Sequence, residues 1–311
     1  MISSKQAALR QVASGGEAEQ TWSRRCTYYC VYLAGLIVAF VLPLSSWVRA
    51  VAGNDLNSYT LLIPVVSIYL IYIQCERLLK NFVAAPSLAS LFILLGFAGV
   101  ILAVVLPRSA FALSNNDESA LYLFSFVSLV VAGGFLFLGK TWMKAAAFPM
   151  AFLIFMVPMP EGIADGLEEA SKLASAEVAH VLFQITGTPV LREGVIFQLP
   201  GISIEVAREC SGIRSSVILF ITSLLASYLF LRSNLRRFVL VAAVIPLGLI
   251  RNGVRILTIA LLCVHYGPGM IDSPVHRHGG PPFFVASLIP LFLLLWWLRR
   301  GEQRRPLPSP A

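Results

Sequence analysis

Eight stretches of this chain carry so few charges that water cannot be their solvent. That constrains the fold more than any motif does. They run at roughly 28–48, 59–73, 87–106, 120–138, 145–157, 212–231, 238–264 and 283–298. A spanning helix needs about 20 apolar residues, and the shorter second and fifth stretches reach that length with their flanks. Lipid offers no partner to an open N–H or C=O, and no stretch alternates like a barrel strand. The expected fold is therefore an all-α integral membrane protein with about eight transmembrane helices. Composition agrees: 13% of the 311 residues are charged, against about 25% in a soluble domain.

The charges orient the bundle. With the N-terminus in the cytosol, segments 1–27, 74–86, 139–144, 232–237 and the tail from Arg299 lie inside and hold 15 of the 24 Lys and Arg. The outer segments hold six, and 12 of the 16 acidic residues lie there too. The positive-inside rule thus predicts both termini in the cytosol, N-in and C-in. The domain plan is a polar cytosolic tail over 1–27, disordered or loosely helical, a polytopic membrane domain over 28–300, and a short basic tail over 301–311. No small-residue cleavage site follows the first apolar run, so no removable signal peptide is expected. The net charge of +8 follows from the cytosolic rim and calls for no nucleic acid.

One outer segment, 158–209, is too long for a simple connector. Ile163, Leu167, Leu173, Val178 and Leu182 recur at helical spacing, which predicts an amphipathic helix on the outer surface ended by Gly187. A short β-hairpin turning at Pro200-Gly201 should follow, before the sixth span. It delivers the chain into "EVARECSGIRSS", with Cys210 at the mouth of that span.

Further polar residues sit where apolar ones are cheaper: Arg214 in the sixth span, Arg251, Asn252 and Arg255 in the seventh, and His265, His276 and His278 beyond it. Taking 232–237 as the loop between spans six and seven, Arg255 stands about 27 Å above the turn and Cys210 about 33 Å. Arg214 falls level with Arg255, and Arg251 about 6 Å deeper, the weaker candidate for contact. A thiol, an arginine and a histidine can then share one pocket on the outer side. A cysteine attacks as thiolate, which neighbouring cations or a helix N-terminus favour. A histidine can move the proton, and an arginine can hold the oxyanion of a tetrahedral intermediate. Plainer readings stand beside this one. Cys210 could be a small buried residue or a disulfide partner of Cys263, and the arginines could pair with Glu205, Glu209 or lipid phosphate. None of the five cysteines has metal-ligand spacing, so neither metal nor cofactor is expected.

The segments "ECSGIRS" (209–215), "RNGVRI" (251–256) and "HRHGG" (276–280), in this order, resemble the exosortase/archaeosortase family. So do "FPMAFLIFMVPMP", "GTPVLREGVIFQLPGISIEVA" and "YTLLIPVVSIYLIY"; the likeness covers roughly 55–300. The resemblance implies a multi-spanning membrane cysteine peptidase and transpeptidase, sortase-like by convergence. It would sit in the bacterial inner membrane with its site facing the periplasm. Carried over by motif, the catalytic residues are Cys210, Arg255 (from N-x-x-R) and His276 (four positions before Gly280), with His278, Arg214, Asn252 and Arg251 as supporting candidates. His278 lies in the same turn and stays open as the alternative histidine. The implied partners are membrane lipid and exported proteins whose C-terminal sorting signal joins a Pro-Glu-Pro-type motif, a transmembrane helix and a basic tail. The implied reaction cleaves and transfers that signal through a Cys210 thioester. The competing reading is a non-enzymatic transporter, or a lipid- or polysaccharide-export protein, whose intramembrane arginines bind an anion. Transport needs the arginines and no thiol, whereas acyl transfer needs Cys210.

Overall fold

Apart from one small sheet, the regular elements of the computed structural model are helical. It describes residues 2–52, 58–74, 82–106, 113–206, 212–267, 269–270 and 280–303, without the side chains of 2–19 and Arg214. The chain forms two compact units, Met1–Glu161 and Gly162–Ala311.

In the first unit, α1 (Ile2–Ala39) and α2 (Val41–Ala52) meet at a bend of 71°. Pro43 has no N–H for the carbonyl of Ala39, so α1 cannot run on through the apolar stretch. The turn Ser58–Leu61 leads into α3 (Leu62–Ile73), followed by α4 (Pro86–Val105) and α5 (Asn115–Gly133). Ser114 caps α5 by accepting from Asp117 N at 3.1 Å, the side-chain capping expected of serine at that position. The helices α4 and α5 approach through small residues: a Cβ on Gly96 would lie 2.7 Å from Leu129 Cγ. Close backbone approach of this kind supplies dispersion contact where lipid removes the hydrophobic drive between helices. Tyr29 and Tyr32 of α1 donate to the carbonyls of Val130 and Leu129, at 3.2 and 3.0 Å. A π-helical turn, Gly134–Leu138, then passes into α6 (Gly139–Ala145), so the charged segment 139–144 is helical. The fifth apolar stretch is broken into α7 (Ala147–Phe152) and the tight turn Leu153–Met156.

The second unit starts within α8 (Glu161–Ile185). Past α8, Gly187 has a φ of +66° and Thr188 N donates to Phe183 O at 3.0 Å, closing the helix end. Three strands follow, β1 (Leu191–Glu193), β2 (Ile196–Leu199) and β3 (Ile202–Glu205), paired in order as an antiparallel meander. The turn at Pro200-Gly201 was expected; the strand before Gly194 was not. A two-residue loop opens with Gly194 at φ +64°, which brings Glu193 opposite Ile196. Such tight loops need positive φ, and glycine supplies it.

The meander and α8 share a core with α11 (Val244–Tyr266): Ala176, Ala179, Phe183, Phe197, Val206, Ile259 and Cys263 are all in it. The buried stripe of α8 is thus small residues and Phe183. Of the five positions the apolar spacing picks out, Ile163, Leu167 and Leu173 are 57%, 42% and 49% exposed, while Val178 and Leu182 are half-buried. Two further helices, α9 (Ile213–Phe230) and α12 (Gly280–Gln303), pack with α11 and α10 (Asn234–Ala242) on a second core that includes Leu219, Leu240, Val244, Leu291 and Leu295. At one end of this group the Glu302 carboxylate accepts from the N–H groups of Arg232 and Ser233, at 3.0 and 2.8 Å, just before α10. A carboxylate there satisfies orphan donors and complements the helix dipole.

By length and composition, four described helices can cross a membrane, or six if each of two bent pairs is one span. The apolar helices Tyr59–Ile73 and Ser215–Phe230 are shorter. The eight apolar stretches therefore all fall on helices, but not as eight full-length spans. The reason is local: bends divide the first and fifth, and the described parts of the second and sixth fall short of about 20 residues.

Candidate functional site

The entry to α9 is built on Gly212. Its φ of 70° and ψ of 9° are left-handed, a conformation that costs a residue with a Cβ about 1–2 kcal/mol. Its carbonyl oxygen accepts from Ser216 N at 3.0 Å and from the hydroxyls of Ser215 and Ser216, both at 3.0 Å. A fourth donor comes from another helix. Arg251 of α11 places Nη2 2.9 Å from the Gly212 oxygen and 3.0 Å from Ser216 Oγ.

Small residues on both helices allow this approach. A Cβ on Gly212 would lie 3.1 Å from both Arg251 Nη2 and Asn252 Oδ1, and a Cβ on Gly248 would lie 2.8 Å from Ser216 Oγ. Arg251 is 8% exposed and Asn252 2%. The second amino group of Arg251, Nη1, is buried and meets no hydrogen-bond acceptor among the described residues. Both acceptors of Nη2 are neutral, so no carboxylate among the described residues balances the charge.

Arg251 thus reaches the α9 entry, although helical rise from a 232–237 loop places it one turn deeper than Arg255. The cause lies in the connection between the two helices. α9 ends at Phe230 and α10 begins at Asn234, so Arg236 and Arg237 are helical rather than part of a loop. Counted from these ends, Gly212 and Arg251 stand about 27 and 26 Å up their helices, level with each other. Arg255 lies one turn further along α11 on the same face, half-buried.

The other expected residues fall as follows. Cys210, His276 and His278 lie outside the described residues, and Arg214 is described only as backbone in the first turn of α9. His265 is exposed and its Nδ1 bonds the Leu261 carbonyl one turn back, at 2.8 Å. Cys263 is a free thiol, 2% exposed, inside the core shared with α8 and the meander. Among the described residues no group of three His, Cys, Asp or Glu is placed to hold a metal ion. Sequence reasoning had not singled out Ser216 or Gly248. Their available signals were the serine one turn after Gly212 and the glycine three residues before Arg251.

A largely helical chain with several apolar spans, in which one arginine is buried against a helix entry, belongs to the class of polytopic membrane proteins. Its family is the transmembrane exosortases: residues 47–293 match the family described as transmembrane exosortase (Exosortase_EpsH), so the chain belongs to it. Comparisons with curated proteins and with solved structures found no match. The family acts on exported substrate proteins, and membership implies a membrane cysteine protease or transpeptidase.

Proposed function

We propose that this protein cleaves and transfers the C-terminal sorting signal of exported proteins, using Cys210 as nucleophile at the periplasmic face of the inner membrane. One observation carries the reading: the motif "RNGVRI" is docked onto Gly212 of the motif "ECSGIRS" through Arg251. Cys210 is two residues before Gly212 in the chain, so their Cα atoms can be no more than about 7 Å apart.

The thiolate sulfur attacks the carbonyl carbon of the scissile peptide, and the C=O electrons move to the oxygen. Arg255 donates hydrogen bonds to that oxyanion. His276, or His278 in the same turn, gives a proton to the departing amine as the C–N bond breaks. The products are an acyl thioester at Cys210 and a released C-terminal segment. Water or an acceptor amine then attacks the thioester and returns the thiol. The substrate's own transmembrane helix lies beside the sixth to eighth apolar stretches and holds its motif at the outer surface. No cofactor takes part.

Replacing Cys210 by Ala tests this in cells that express a substrate. The variant should insert at the wild-type level and leave the substrate's C-terminal segment attached. Continued processing by C210A would contradict the mechanism. It would favour the anion-binding reading, which the charge of Arg251 also suits and which needs no thiol.

A further inference from the structure

We propose that the arginines at the Glu302 end of α9, α10 and α12 bind the phosphate of an anionic phospholipid, which bridges α10 and α12 across the end of α9. The inference stands apart from the site at Gly212 and needs no thiol. Five arginines gather at this end, Arg232, Arg236, Arg237, Arg299 and Arg300, and Glu302 is the one carboxylate among the described residues there. Both of its oxygens accept from backbone N–H groups, those of Arg232 and Ser233. Among the described residues, no carboxylate pairs with any of the five guanidinium groups.

Neutral groups hold these side chains in place instead. Arg236 donates Nη1 to Leu298 O at 2.6 Å, and a Cβ on Gly301 would lie 3.1 Å from the same nitrogen. Arg237 donates Nε to Leu231 O at 2.9 Å, and Arg299 holds Cζ 5.5 Å from the centre of the Phe230 ring. Phe230 and Leu231 are consecutive, so one arginine from α10 and one from α12 flank the end of α9. Arg300 lies 3.8 Å over the Trp296 ring. Each contact uses one nitrogen or one face of a guanidinium and leaves its other N–H groups to a ligand.

The setting names the ligand. Apolar helices stop at this end, and Trp296 and Trp297, 52% and 65% exposed, mark the headgroup level as interfacial aromatics do. Headgroup phosphate is the anion found at that depth. Orientation by charge treats lysine and arginine alike, and segment 139–144 meets that need with Lys140 and Lys144. At the Glu302 end all five cations are arginine, whose planar fork takes two phosphate oxygens at once. Gathered like charges repel, and an anion between them turns that repulsion into attraction.

The test titrates the full-length protein in detergent with dioctanoyl phosphatidylglycerol, dioctanoyl phosphatidylcholine or inorganic phosphate, and reads the thermal midpoint. Phosphatidylglycerol should raise the midpoint by about 5 °C at saturation, and the other two by less than about 1 °C. In R237K/R299K the concentration that gives half the shift should rise about 10-fold, because lysine keeps the charge and loses the fork. The kept charge also keeps the orientation signal, so this variant should insert as the wild type does. A wild-type midpoint that moves no further with phosphatidylglycerol than with phosphatidylcholine overturns the inference without any variant. An equal shift from inorganic phosphate makes this a free-anion site and overturns the lipid assignment. Wild-type affinity in R237K/R299K reduces the arginines to orientation by charge and overturns the site. C210A should respond to phosphatidylglycerol as the wild type does, which separates failure here from failure of the proposed reaction.

Discussion

Gly212 meets two demands that no other residue meets together. Its backbone is left-handed, and its α-carbon faces Arg251 Nη2 and Asn252 Oδ1 at distances that would be 3.1 Å from a Cβ. G212A should therefore cost about 1–2 kcal/mol in backbone conformation alone, with crowding of the arginine in addition. The expected outcome is a lower thermal midpoint in detergent and at least a 10-fold loss of substrate processing, with the protein still in the membrane. Wild-type processing by G212A would show that the α9 entry is free to move without consequence. The sequence made Cys210, Asn252 and both arginines visible as polar residues in apolar surroundings. It did not reveal that Arg251 reaches the α9 entry, because its partner there is a backbone carbonyl, and a carbonyl leaves no trace in residue type.

Between elements, composition and helix boundaries part company. Arg236 and Arg237 look like loop residues, yet they belong to the first turn of α10. Arg236 donates to Leu298 O at 2.6 Å and Arg237 to Leu231 O at 2.9 Å. Charge marks contact with water or headgroups, not the end of a helix, and misplacing that end shifted the levels by more than a turn. The meander shows the same limit: three short strands carry too few residues for alternation to reveal all of them. It is tied to α8 by Arg192, which pairs with both oxygens of Glu177 at 2.8 and 2.6 Å and donates Nε to Gly194 O at 2.7 Å. The hydrogen bonds from Arg192 hold the Glu177 carboxyl below its usual value of 4.5. A lowered folded-state value means the pair stabilises fully above that usual value and loses its contribution as pH falls through the folded one. E177Q should accordingly speed proteolysis in the meander at pH 7, and its difference from wild type should shrink on acidification. A difference that grows with acid would have the wrong sign.

At the scale of the molecule, the distribution of charge and the run of α9 make one statement about sidedness. α9 runs about 27 Å from the Gly212 entry to its C-terminal end, beside which Glu302 caps α10, a little short of a bilayer core. With Arg232, Arg236, Arg237, Arg299 and Arg300 gathered at the Glu302 end, we propose from the charge rule that this end is cytosolic and the Gly212 entry external. A reporter fused after Gln303 should read as cytosolic and an epitope inserted at the Gly194 turn as external. The reverse pattern would put Cys210 on the side from which exported proteins have already departed. All eight apolar stretches were legible because lipid demands them. The division of the first by the 71° bend at Phe40, and the break-up of the fifth into two short turns of helix, depend on packing that residue type does not record.

The central claim is that Cys210 carries the acyl group between the two halves of the reaction. Purified enzyme incubated with a peptide bearing the sorting signal should form a hydroxylamine-sensitive adduct. Its mass should map to the tryptic peptide 209–214, and it should disappear in C210A. Cleavage of the same peptide with no adduct on 209–214, or with C210A as active as wild type, would contradict that claim directly.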